Sequence, residues 1–332
     1  MRYHVTRFFR TAKRALRLAQ AEFISAVSAL NSRVRSGIRK GINGVFPFLN
    51  ALVMLLIFVV TAYPFLYIVL YSLSESAKAG GAFLILPRGF TLDAYRKIFE
   101  NNVIIHAFFI SVARSVAGSV LSVVVCMLVA YGVSKRTLPG RRFFNIYFVI
   151  TMYLGIGLIP IYMINKMLGL VGTFWVYILP TAMSAFYMII LRTYIEGIPG
   201  ELFESAYIDG ANDLTVFTRI VVPVCIPVIA AILLFASVNQ WNMYTDTLYY
   251  NTSKQALYPL QYVLMTIVSS MISSSSSPAV ISNILASGQS SHATPTTVRM
   301  AITVVTIIPI SLVYPFLQRY FISGIMLGSV KG

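Results

Sequence analysis

The side chains able to do chemistry are few, and their spacing does not suit catalysis. His4, His106 and His292 are scattered, and Cys126 and Cys225 sit in separate apolar runs. No metal site follows from that spacing, and two isolated cysteines build no disulfide framework. Structural roles are expected for all five. There is no G-x-x-x-x-G-K-[ST] phosphate loop, no triad arrangement and no acid pair. The chain is therefore expected not to be an enzyme. Acidic residues concentrate in one place: Glu196, Glu201, Glu204, Asp209 and Asp213 fall within 192–221, against Arg192 and Arg219. Pro199 suits the first turn of a helix, with Glu201 and Glu204 at its positive end. Gly210 suits a left-handed stop. Asn212 or Asp213 can cap a second short helix, and Pro223 marks entry into an apolar stretch. Two short helices at a membrane surface are predicted.

The elements that must position this loop are apolar. Of the 332 residues, 58% are hydrophobic and 11% charged, whereas soluble domains carry about 25% charge. The apolar residues fall in blocks long enough for a hydrocarbon core of roughly 30 Å. Six spans are predicted: Ala51–Leu73, about 104–134, about 143–164, a fourth from the turn at 169–173 to about Leu191, about 222–240, and about 298–321. The net charge of +16 is placed by topology: ten of 26 Lys and Arg lie in residues 1–50, and Lys135, Arg136, Arg141 and Arg142 fill one short loop. That is the pattern of cytoplasmic flanks, with no nucleic-acid motif beside it. Six crossings then place both termini, 135–142 and 192–221 in the cytoplasm, with 74–103 and 241–297 outside. None of the six spans contains an acid within its core. Arg114, near the outer end of the second span, is expected to snorkel outward; the alternative is a cavity-lining charge.

One motif in the loop resembles a known family. Glu204-Ser205-Ala206, three residues, Gly210, nine residues, Ile220-Val221-Val222-Pro223 is similar to the EAA loop of ABC importer membrane subunits. That pattern is EAA, three residues, G, nine residues, I-x-L-P; Ser205 replaces an alanine and Val222 a leucine. Further stretches are similar to the carbohydrate-uptake branch with its maltose-type subunits. They are Phe90 to Tyr95, Gly157-Leu158-Ile159-Pro160, Ile208-Asp209-Gly210-Ala211, Trp241-Asn242, Tyr314 to Phe321, and Gly328 to Gly332. The resemblance covers about 44–332 and comes nearest to the subgroup for larger or unusual oligosaccharides.

This resemblance implies an all-α membrane protein with the type I ABC importer fold. It implies a six-helix domain over 44–332, with a basic cytoplasmic segment at 1–43. Glu204, Ser205, Ala206, Asp209, Gly210, Ala211, Ile220 and Pro223 would couple to a separate ATPase dimer, which binds ATP and magnesium; this chain would bind no cofactor. A second homologous membrane subunit, an extracellular or periplasmic solute-binding protein, an oligosaccharide and membrane lipid complete the expected partners, in a bacterial inner membrane. Tyr153, Asn239, Trp241 and Asn242 lie where a sugar pathway could run, and ordinary helix packing is the competing reading. For 1–43, an amphipathic helix on an anionic leaflet and a topology-setting basic tail both remain open. So do a self-contained secondary transporter or channel, and an importer subunit for a non-sugar solute.

Overall fold

The computed structural model describes residues 47–79, 83–100, 102–272, 294 and 296–312. The basic segment 1–43, the serine run 273–277 and the end of the expected sixth span lie outside the described residues. The helices are α1 Pro47–Ser72, α2 Asp93–Glu100, α3 Asn102–Ser134, α4 Arg141–Tyr153 and α5 Leu158–Met167. After a 3-10 turn at Phe174–Tyr177 come α6 Ala185–Glu196, α7 Gly200–Ile208 and α8 Asp213–Val216. A π turn at Phe217–Val221 leads to α9 Val222–Val224 and α10 Ile226–Asn242. Then follow α11 Thr245–Tyr250, a 3-10 turn at Gln255–Leu257, α12 Leu260–Ile272 and α13 Thr296–Leu312.

Contacts divide the chain into two units, Met1–Leu66 and Tyr67–Gly332. In the first, α1 exposes its apolar side chains, Leu52, Phe58, Val60 and Phe65 among them. An exposed helix that is apolar on every face is matched to lipid.

The second unit is organised around α3, an unbroken run of 33 residues without proline. Small residues let other helices approach it closely. A Cβ on Gly118 would lie 2.7 Å from Gln240 Nε2 of α10. Toward the Ser134 end, Val123, Cys126, Met127 and Ala130 pack with Met188 and Leu191 of α6, and with Val216, Val221 and Ile232. Toward the Asn102 end, Ile104 and Ala107 pack with Ala94, Trp241, Leu260, Val263, Val298 and Ile302.

The described helices do not supply six continuous spans. Two, α1 and α3, are long and apolar enough to cross a membrane, and up to four if two bent pairs are each one span. The expected third span breaks between α4 and α5 at 113°, where Gly155 and Gly157 interrupt the ladder and Gly157 takes φ 84°. The expected fifth span bends by 78° between α9 and α10. Pro227 has no N–H to reach back toward Pro223, so the helix turns at Cys225. The expected fourth span is replaced by the 3-10 turn, an irregular stretch through Pro180, and α6, whose N-cap Ser184 accepts from the Tyr187 amide. Within 241–297, read from sequence as an outside segment, the chain forms α11 and α12. Ser111 of α3 accepts the Leu260 amide at 2.7 Å, tying the start of α12 to α3.

Candidate coupling site

The loop between α6 and α10 is built by local rules. Pro199 stands at the N-cap of α7, and Glu201 lies in its first turn. The far end closes in a Schellman turn: Ala211 N–H donates to Ala206 C=O at 2.9 Å, and Gly210 N–H to Tyr207 C=O at 3.1 Å. This turn needs a left-handed residue, and Gly210 takes φ 78°. The spacing from Ala206 to Gly210 is thus the spacing of the turn's own hydrogen bonds. Asn212, rather than Asp213, caps α8: its Oδ1 accepts the Thr215 amide at 2.8 Å.

These residues sort into two faces. Ala206, Ala211 and Ile220 are half-buried and pack against the α3–α6 core. Their small or branched side chains seat the loop. Glu204, Ser205, Asp209, Gly210 and Pro223 are exposed. The exposed face also carries apolar residues outside the predicted coupling set, foremost Ile208 at 85% exposure and Leu214 at 67%. The exposed face thus combines acidic groups with protruding aliphatic side chains.

Both ends of the loop are tied to the turn after α3. Lys135 Nζ lies 2.5 Å from Asp213 Oδ1 and 4.8 Å from the Tyr131 ring centre. Tyr207 donates to the same Asp213 oxygen at 2.9 Å. Tyr131 donates to the Asp213 carbonyl at 3.3 Å, and its ring packs on Phe217 at 5.2 Å. Hydrogen bonds from Lys135 and Tyr207 hold the Asp213 carboxyl below its usual range. Burial, together with donation to Asp213, pushes the Tyr207 phenol up. At the other end Arg141 binds Glu196 at 2.6 Å and donates to the Val133 carbonyl at 3.2 Å. Arg192 lies 3.2 Å from the same Glu196 oxygen and also binds Asn145. Lys135 and Arg141, which the sequence offered only as topology signals, are ion-pair partners of the loop.

Arg114 corrects the sequence reading. It does not snorkel: its exposure is 0%. Its guanidinium meets Asp246 Oδ2 at 2.5 Å, the Met243 carbonyl at 3.0 Å and Gln240 Oε1 at 3.2 Å, and lies 4.5 Å from the Tyr177 ring centre. Asp246 falls outside the predicted spans, so the sequence showed no acid to meet Arg114. Gln240 spends its amide on Thr181 Oγ1 at 2.7 Å, and Tyr177 donates to the Leu257 carbonyl at 2.8 Å.

Of the four residues placed on a sugar pathway, Tyr153, Asn239 and Asn242 are exposed. Trp241 is drawn inward. Its indole N–H donates to the Thr306 carbonyl at 3.1 Å, and its ring meets Phe108 edge-on at 6.0 Å. With its one polar group occupied, Trp241 sits in the structure as a packing residue.

The chain is helical, with apolar spans and a structured surface loop, and no metal-type cluster of His, Cys, Asp or Glu occurs among the described residues. Comparison with known proteins specifies the class. The chain is 40% identical over 292 residues to the polygalacturonan/rhamnogalacturonan transport system permease protein YtcP of Bacillus subtilis, spanning 87% of this chain and 99% of that one. It is 27% identical to the arabinooligosaccharides transport system permease protein AraQ of Halalkalibacterium halodurans, over 82% and 92% of the two chains. Among solved structures it superposes on a bacterial ABC transporter involved in the import of the acidic polysaccharide alginate, with TM-score 0.75 and 28% identity, covering 83% and 96%. No protein-family model matches the chain. The chain belongs to the membrane permease subunits of sugar ABC importers, and as such it is not itself the ATPase.

Proposed function

We propose that this chain moves an acidic oligosaccharide across the bacterial inner membrane by alternating access, together with a second homologous permease. The exposed face of 200–214 docks on a separate ATPase dimer, which binds ATP and magnesium. Glu204 and Asp209 meet basic groups there, while Ile208 and Leu214 enter apolar recesses. ATP closes the dimer, draws the two permeases' loops together and opens the helices toward a ligand-loaded binding protein. Hydrolysis resets the inward state, a population shift driven by differential ATP binding. The loop and the C-terminus then face the cytoplasm, and 241–297 faces outward. The observation that carries this reading is the Schellman-closed loop, held by its half-buried alanines with an acidic and aliphatic face left open. The acidic cargo is supported by two relatives, one named for polygalacturonan and rhamnogalacturonan and one for alginate.

The test expresses the chain with its neighbouring transport genes. An ATPase should co-purify, and proteoliposomes should take up an oligogalacturonide in preference to a neutral arabino-oligosaccharide. Glu204→Lys should abolish uptake without reducing membrane insertion. In intact cells, with Cys126 and Cys225 replaced, an impermeant thiol reagent should label Ser253→Cys and not Asn212→Cys. Absence of a co-purifying ATPase, or the reverse labelling pattern, overturns the reading.

A further inference from the structure

Resting on the reading of 197–212 as the coupling loop, we infer that its movement enters the membrane domain through the α3–α4 turn, with α3 as the lever. The covalent route onward from the loop is a poor rod. It runs through a π turn at Phe217–Val221, then Pro223, then a 78° bend at Cys225 before α10 begins. The π turn shifts the ladder by one residue and Pro223 and Pro227 each remove a donor, so a push at α8 is absorbed as bending rather than passed along α10. By contrast α3 runs unbroken for 33 residues, and the turn at its end grips both ends of the loop.

The grip has two struts of the same design. Lys135, one residue past α3, pairs with Asp213 where the loop ends. Arg141, at the start of α4, pairs with Glu196 where the loop begins and reaches back to the Val133 carbonyl in the last turn of α3. Tyr131 adds a third tie, from α3 itself to the Asp213 carbonyl and the Phe217 ring. Lys135 meets Asp213 and the Tyr131 ring, and Asp213 also accepts from Tyr207. In its Asn102 half α3 is bound through Arg114 to Gln240, Met243 and Asp246, so the far end of α10 is joined to the same lever. Loop, turn and α3 therefore move as one body, and Lys135, Asp213, Arg141 and Glu196 are positioning residues for coupling.

The test uses the complete importer in proteoliposomes, with variants normalised to co-purified ATPase. Single reversals Lys135→Asp and Asp213→Lys should lower transport per ATP hydrolysed by about fivefold, the scale of one partly exposed ion pair plus the new repulsion. The combined reversal should return it to within about twofold of wild type. Independently, Lys135→Cys and Asp213→Cys can be bridged by a short bis-methanethiosulfonate in a background with Cys126 and Cys225 replaced. The bridged complex should transport at the unbridged rate, because the two positions do not move apart. A bridge that stops transport, with recovery on reduction, overturns the inference. So do single reversals that leave transport per ATP unchanged. Failure of the functional reading is distinguishable, because it would already show as a wild-type chain that recruits no ATPase.

Discussion

Replacing Asp246 by alanine leaves the Arg114 guanidinium buried without its counter-ion. Arg114 has no solvent exposure and Asp246 only 8%, so water does not take the place of the lost carboxylate. The Met243 carbonyl and Gln240 Oε1 still accept from the guanidinium, but neither carries charge. The Thr247 amide also loses the Asp246 oxygen that it meets at 2.8 Å. Breaking one side of a buried pair costs about 3–5 kcal/mol. At about 2–4 °C per kcal/mol for a chain of this size, the melting temperature should fall by about 6–20 °C. Removing both charges, as in Arg114→Met with Asp246→Ala, should be less harmful than Asp246→Ala alone, because no isolated charge remains. The measurement is thermal unfolding in a mild detergent, followed by fluorescence-detected gel filtration across the four members of the cycle. An unchanged melting temperature in Asp246→Ala, or a double variant as unstable as the sum of the singles, would refute the reasoning.

Gly118→Val should push the Gln240 side chain off Arg114 and Thr181, since even a Cβ lies 2.7 Å from Gln240 Nε2 and 2.8 Å from its Cδ. Overpacking of this kind costs about 1–3 kcal/mol, and thermal unfolding in detergent should register it while membrane insertion is kept. The Lys135–Asp213 strut has a defined pH window. Asp213 titrates lower when folded than its ordinary 3.8, so its contribution is complete above that value and is lost as pH falls through the depressed one. Protease cleavage within 200–212 should be flat across neutral and mildly acidic pH and rise only in stronger acid. Asp213→Asn should remove that dependence, and a rise already at neutral pH would contradict it.

What the sequence determines alone is what depends on near neighbours or on solvent. Long uncharged blocks define a membrane chain because lipid offers no partner for charge or free backbone. The local structure of the loop between α6 and α10 is legible because a Schellman turn and an N-cap are closed within a few residues. Ala211 bonds back to Ala206, Gly210 to Tyr207, and Asn212 accepts from Thr215. The expected helix boundaries failed where local breakers met tertiary space. Pro180, Gly157 and the pair Pro223 and Pro227 can kink a span or end it, and only the surrounding packing selected the 113° and 78° bends. Partner choice over long separations was invisible. Arg114 and Asp246 are 132 residues apart, and Lys135 and Asp213 are 78 apart (213 − 135). Nothing local marks Trp241 as buried, whereas α12 had a local signal, an apolar run from Leu260 just after Pro259, inside the predicted outside segment. Those outcomes follow from which faces α3 offers, since one unbroken helix flanked by small residues collects the polar and apolar surfaces of every segment that reaches it.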